Sequence, residues 1–225
     1  LTVFGIARRK NISSIFLPYI NNKFYDKNFF FKKIDLNKNL NSLIELIQNE
    51  KFTYIINFAA QSMVAESWQY PDHWYQTNVL TQVKFHDAIR KFNFIKKYIH
   101  VSTPEVYGST SSLIKENFNF NPSTPYAVSR ASCDMHLMSF FKNYNFPVIF
   151  TRSANVYGPG QQLYRIIPKT VISATMNEKM QLHGGGNSQR SFIHIKDVCE
   201  AKYKLLIKGN IGETYHISNN QLISI

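Results

Sequence analysis

The chain has 225 residues, 44% hydrophobic and 15% aromatic, enough to bury a sizeable core and to exclude a globally disordered polypeptide. No apolar run approaches the roughly 20 residues of a membrane span, so no membrane partner is expected. The formal charge of +12 comes from lysines dispersed along the chain, with only short pairs such as Lys32-Lys33 and Lys96-Lys97. That dispersal argues against a nucleic-acid partner, although a basic surface helps to attract an anionic ligand.

In chain order, Leu1–Ala7 reads as a short buried strand. It lacks an initiator Met and is followed by charge, the reverse of a signal peptide. Arg8 to Lys27 is mixed and polar, and Phe29–Ile34 is a second apolar run ending at Asp35. Leu43, Ile44, Leu46 and Ile47 give Asn41–Glu50 helical spacing, with Asn39 or Asn41 as cap. Tyr54–Phe58 is a compact strand, Asp72–Phe92 one long helix, Tyr98–Ser102 a strand, Tyr126–Tyr144 a helix and Pro147–Ser153 a strand. Apolar strands alternating with helices predict a parallel sheet covered on both faces. Ligands bind such sheets at the carboxyl ends of the strands. The small polar residues there, Asp35, Ala59-Ala60-Gln61-Ser62, Ser102-Thr103 and Asn155, are therefore expected on one edge. After Tyr157 the alternation is broken by Gly158-Pro159-Gly160, the turn at Pro168 and Gly184-Gly185-Gly186, and Thr214–Ser218 is expected to return to the main sheet.

Tyr126 and Arg130 are four apart on a helix and project from one face. A cation beside a phenol favours the phenolate, which can move a hydroxyl proton near neutral pH. The guanidinium could also hold ribose hydroxyls. Alone, the pair has a second reading as a surface pair. Glu105, placed to take a proton from carbon, has one as a solvated loop carboxylate. Cys133 and Cys199 lie far apart and outside any metal spacing, as ordinary thiols of a reducing compartment, hence the cytoplasm. His194 and His216 lie in apolar strands as core histidines, and no metal site is expected.

Five segments in register carry a resemblance: Asn57-Phe-Ala-Ala-Gln-Ser62, Ser102-Thr-Pro-Glu-Val-Tyr-Gly108, Pro125-Tyr-Ala-Val-Ser-Arg130, Asn155-Val-Tyr-Gly-Pro159 and Arg190-Ser-Phe-Ile-His-Ile-Lys-Asp197. Together they resemble the extended short-chain dehydrogenase/reductase family, in its nucleotide-sugar epimerase/dehydratase branch. The nearest look is to sugar-nucleotide 4,6-dehydratases of the GDP-mannose or dTDP-glucose type. The resemblance implies a Rossmann-like doubly wound parallel sheet at 1–157 and a small C-terminal substrate lobe at 158–225, with a return strand near 214–218. It also implies that the family's first strand with its glycine-rich turn, and the C-terminal end, are missing from these residues.

The implied reaction is a 4,6-dehydration on bound NAD(P). Tyr126, with Arg130 in place of the family lysine, takes the proton of the sugar 4-hydroxyl as hydride leaves C4. Thr103 hydrogen-bonds the C4 oxygen, Glu105 removes the C5 proton, water leaves C6 and hydride returns there. Cofactor contacts carry over to Arg8, Asp35, Leu36, Ala59, Ala60, Gln61, Asn78, Ser102, Tyr126 and Arg130. A cation at Arg8, where NAD enzymes prefer an acid, favours NADP over NAD. Substrate contacts carry over to Ser62, Glu105, Asn155 and Arg190, the last suited to a diphosphate or to a surface ion pair. His183 either touches the base or closes a strand. Two departures, Arg130 for lysine and Pro104 where many sugar dehydratases have an acid, keep open a 4-epimerase, a C6 decarboxylase or a non-catalytic relative. The family usually forms homodimers through two helices per subunit, here Asp72–Phe92 and Tyr126–Tyr144.

Overall fold

The computed structural model describes residues 2–9, 13–21, 25–110, 113–180 and 189–224. Strand β1 is Val3–Ala7; a short helix α1, Tyr25–Asn28, leads into β2, Phe29–Lys33. Helix α2, Leu40–Glu50, buries Leu43 and Ile47 and ends at Lys51 in the left-handed region (φ 50°). Strand β3 is Tyr54–Asn57. The expected single helix at Asp72–Phe92 is instead three pieces behind a short α3, Glu66–Gln69. Pro71 opens α4, Pro71–Tyr75; a π-helical turn follows over Gln76–Leu80, then α5, Thr81–Ile89. The sequence does not mark this break, because the π turn carries no Pro or Gly and keeps the chain helical while shifting its phase.

Strand β4, Lys97–Ser102, precedes helix α6, Pro125–Tyr144. Thr124 caps α6 by accepting the Ala127 N–H at 3.1 Å, Pro125 occupies its first turn, and Asn145 closes it in the left-handed region. Strands β5, Val148–Ser153, and β6, Asn155–Tyr157, are followed by α7, Ile166–Thr175, and the short strands β7, Gln189–Arg190, and β8, Phe192–His194. Helix α8, Ile195–Lys208, then β9, Thr214–Ile217, and β10, Ile223–Ser224, complete the chain.

The described residues fall into two compact units, 34–153 with 201–217, and 1–33 with 154–200 and 218–225. The first carries an all-parallel sheet in the order β3-β4-β5-β9. Its inner strands β4 and β5 are flanked on both sides, and Tyr98, Ile99, Val148, Ile149 and Phe150 are fully buried. Thr214–Ile217 therefore returns to the main sheet as the sequence implied. The second unit holds three two-stranded ribbons: parallel β1-β2 and β6-β8, and antiparallel β7-β10. The strand expected to be buried at Leu1–Ala7 forms but is only half-covered, with Val3 43% exposed, because among the described residues it pairs with β2 alone.

Candidate active site

Strand β4 delivers Ser102 at its carboxyl end, and the chain then bends into a 3-10 turn over Pro104–Tyr107. Thr103 is extended and caps that turn, its Oγ1 accepting the Glu105 N–H at 3.3 Å. Pro104 suits the first position of such a turn, which needs no N–H. Thr103 is buried and Glu105 exposed. The turn closes at Gly108 (φ 71°), where a Cβ would lie 2.2 Å from the Asn121 carbonyl oxygen, so only glycine fits.

Helix α6 packs on β4 and on this turn. Tyr126 is half-buried, and its backbone N–H donates to Ser67 Oγ at 3.2 Å. Arg130 is only 2% exposed, so a surface pair does not describe it. Its Nη2 donates to the Val101 carbonyl beside Ser102 and lies 3.2 Å from His100 Nε2. Asn78, fully buried in the π-helical turn, pins the loop after β3: its Oδ1 accepts the Gln61 N–H at 2.8 Å, and its Nδ2 donates to the Gln61 carbonyl at 3.0 Å and to Ser129 Oγ at 2.9 Å. That amide is committed to protein, so its effect on a ligand runs through the placing of Ala59, Ala60 and Gln61. The exposed Ser62 follows the same loop. Asp35 accepts the Asn37 N–H at 2.9 Å, and Leu36 lines a pocket with Asn37, Leu40, Gln76, Thr81 and Lys84.

Beneath these groups lies a buried charged network absent from the sequence expectations. Asp134 Oδ2 accepts from Ser102 Oγ and from Arg152 Nη2, each at 2.8 Å, while Oδ1 faces His100 Nε2 at 3.2 Å. Arg152 also donates to Tyr107 Oη at 2.6 Å. Burial pushes the Asp134 carboxyl up, but the charged and hydrogen-bonding groups around it, Arg152 among them, outweigh it and hold it below the usual carboxylate range. Tyr126, Arg130 and Asp134 recur every fourth residue along one helix face, a spacing that could have exposed Asp134 in the sequence. His216, expected as a core histidine, is half-buried and sits 3.0 Å from the Tyr107 hydroxyl.

Among the described residues, one group of possible metal ligands gathers, His86, His100 and Cys133, all buried. The hydrogen-bond order works against a cation there. Asn57 Oδ1 accepts the Ala59 N–H, so Nδ2 donates to Gln82 Oε1 at 2.7 Å and to Tyr98 Oη at 2.6 Å. The Tyr98 hydroxyl must then donate to His86 Nε2 at 2.8 Å, which leaves the His86 proton on Nδ1. Burial pushes the Cys133 thiol up to about 12, and the Arg130 cation stands beside His100.

The remaining expected residues lie in the second unit. Arg8 is exposed just after β1, Asn155 is exposed at the start of β6, and Arg190 is exposed with Nη1 donating to the Gln189 carbonyl at 3.1 Å. His183 lies outside the described residues.

An all-parallel sheet with a Tyr-x-x-x-Arg helix laid against the end of β4 defines a Rossmann-like short-chain dehydrogenase/reductase of the nucleotide-sugar branch. A family model described as GDP-mannose 4,6 dehydratase matches residues 1–225, and the chain belongs to that family. The dTDP-D-glucose 4,6-dehydratase of Mus musculus is 37% identical over 186 residues, covering 80% of this chain and 51% of that protein. The solved dTDP-glucose 4,6-dehydratase of Bacillus anthracis, in complex with NAD, is 31% identical with a TM-score of 0.83, covering 99% of this chain and 68% of that one. A UDP-N-acetylglucosamine 4-epimerase from Methanobrevibacter ruminantium, in complex with UDP-N-acetylmuramic acid, is 26% identical with a TM-score of 0.86, covering 100% and 71%. The chain spans about half the length of curated relatives such as the mouse enzyme.

Proposed function

We propose that the intact protein is an NAD(P)-dependent nucleotide-sugar 4,6-dehydratase. The observation that carries this reading is the burial of Arg130 against the end of β4, one helical turn from Tyr126, with Thr103 and Glu105 on the adjoining turn. Arg130 Nη1 is buried and makes no hydrogen bond among the described residues, which fits a donor kept for a ribose hydroxyl. Ser102, Tyr126, Arg130 and the loop at Ala59, Ala60 and Gln61 would hold the nicotinamide half, and Asp35 and Leu36 the adenosine half. When bound, the dinucleotide accepts hydride from the sugar C4 and gives it back at C6.

The chain's own residues supply the proton transfers. Tyr126 takes the proton of the 4-hydroxyl. Thr103 donates to the C4 oxygen, where negative charge develops once C5 is deprotonated. Glu105 takes the C5 proton and, since Pro104 cannot, passes it to the departing C6 hydroxyl; as hydride arrives at C6, C5 takes up a proton from solvent and Tyr126 releases its own. Ser62, Asn155, His183 and Arg190 remain proposed substrate contacts, with Arg190 suited to the diphosphate. The homodimer through the helices at 71–89 and 125–144 stays a proposal, supported by the exposed apolar side chains of Leu80 and Met135. No helix among the described residues is long and apolar enough to cross a membrane. Two free thiols support a cytoplasmic setting, and the dispersed lysines support the absence of a nucleic-acid partner.

Incubation with dTDP-glucose, GDP-mannose and UDP-glucose in deuterated water is expected to yield a 4-keto-6-deoxy sugar carrying deuterium at C5. The 4-epimerase reading, favoured by the Methanobrevibacter likeness, gives an inverted C4 without C5 label; that result would replace the dehydratase. Arg8 supports NADP over NAD: the dissociation constant for NADP is expected to be the lower, and Arg8→Glu to reverse the order. Equal affinities in the unaltered protein would remove Arg8 from cofactor selection.

A further inference from the structure

His100 lies in the interior of β4, 1% exposed, opposite Phe150 of β5, and its Nε2 stands between two groups with opposite demands. Arg130 Nη2, 3.2 Å away, can only donate, so it needs a lone pair on Nε2. Asp134 Oδ1, also 3.2 Å away, can only accept while ionised, so it needs a proton there. One nitrogen cannot serve both. Burial holds the imidazole below its ordinary range, so it is neutral at pH 7 and the choice is between tautomers.

The surroundings decide that choice. Asp134 already accepts two hydrogen bonds on Oδ2, from Ser102 and from Arg152. Arg130 Nη2 meets Nε2 as a hydrogen-bond partner, whereas Asp134 Oδ1, at the same distance, has no hydrogen-bond partner among the described residues. The lone pair therefore faces Arg130. A guanidinium is larger and planar where the family carries a lysine, and it needs more than one acceptor to fix its plane. The Val101 carbonyl and His100 are the two acceptors that hold Nη2, and they leave Nη1 on the other limb of the fork.

We infer that His100 is a positioning residue for Arg130, fixing the plane of the guanidinium so that Nη1 is presented to the ribose of a nicotinamide dinucleotide. The inference rests on the cofactor-binding part of the function proposed above and not on the identity of the sugar.

The test uses two polar replacements that keep an amide inside β4, so that folding is retained. In His100→Gln the side-chain amide reaches the position of Nε2, where its oxygen can accept from Arg130 and its nitrogen can donate to Asp134. In His100→Asn the amide stops one atom short. Each is made alone and in an Arg130→Met background, and the readouts are the dissociation constant for dinucleotide and kcat with the best sugar nucleotide. Gln is expected to keep most of the function and Asn to lose about 10²-fold in kcat, the scale of a misplaced catalytic contact. In the Arg130→Met background Gln and Asn should be indistinguishable, because a residue acting through Arg130 has nothing left to position. Equal behaviour of Gln and Asn with Arg130 present, or an Asn loss that persists in full in the Arg130→Met background, overturns the inference. If the protein binds dinucleotide but turns over no sugar nucleotide, the dehydratase reading fails alone and the same cycle on the dissociation constant decides this one. A protein that binds no dinucleotide overturns both.

Discussion

Replacing Tyr126 with Phe in the intact protein is expected to lower kcat by about 10²- to 10⁴-fold, the usual contribution of a positioned proton-transfer group, with little change in the unfolding midpoint. The fold should tolerate the loss. Tyr126 is half-buried, and its helix is anchored by backbone contacts, the Tyr126 N–H on Ser67 Oγ and the Ala127 N–H on Thr124 Oγ1. What disappears is the phenol oxygen proposed to take the 4-hydroxyl proton. Glu105→Gln is expected to fail differently: C4 oxidation proceeds, but deuterium no longer enters C5, and the 4-keto sugar accumulates with reduced cofactor. Rapid-quench product analysis separates the two variants. A Phe variant that keeps more than about a tenth of the original rate would remove Tyr126 from the proton-transfer role.

Arg152→Met is expected to destabilise the protein by about 3–5 kcal/mol, the scale for a buried charge left without its partner. Arg152 and Asp134 are both fully buried, 2.8 Å apart. Arg152 also lies over the rings of Tyr107 and Phe120, each centroid 5.0 Å away, and the Met chain keeps that apolar contact but not the charge. Replacing both partners, Asp134→Asn with Arg152→Met, should cost less than Arg152→Met alone. The pH dependence carries a sign. The Asp134 pKa lies lower in the folded protein than in the unfolded chain, so its contribution is present above the unfolded value, about 3.9, and is lost as pH falls through the folded value. His86 and His100 are also lowered by burial, so they remove stability as pH falls below about 6.5. In Arg152→Met the unpaired Asp134 carboxyl should rise instead, and acidification should narrow the gap to the unaltered protein. Denaturant midpoints measured from neutral to acid pH check this; a gap that stays constant would show that Asp134 does not carry the effect.

The sheet was legible because its inner strands are buried on both faces. Tyr98–Ser102 and Pro147–Ser153 had to be apolar runs, and Thr124-Pro125 ahead of Tyr126 marks a helix start by capping chemistry alone. The catalytic candidates were legible as motifs, Thr103 and Glu105 just past the end of β4 and Tyr126 and Arg130 four apart on α6. The network beneath them was not. His100 and Arg152 interrupt apolar strands, and Asp134 lies one turn beyond the Tyr126–Arg130 pair for which its helix was read. Their meaning depends on partners 18 to 34 residues away in the chain, which no local period reports. The ribbons β6-β8 and β7-β10 were hidden by length, since strands of two or three residues carry no alternation to read.

The π-helical turn at Gln76–Leu80 has a consequence of phase. Each residue advances an α-helix by about 100°, so one residue gained in a wide turn rotates everything after it by that angle relative to everything before. Asn78 sits at the rotation itself and faces Gln61, while Gln82 and His86 beyond it face Asn57 and Tyr98. A one-residue deletion there would make a straighter, more regular helix and turn two of these three contacts away from their partners. Local irregularity is what keeps the loop after β3 and the floor of β4 served by a single run of chain, and the segment is therefore intolerant of length change although its helical propensity would improve.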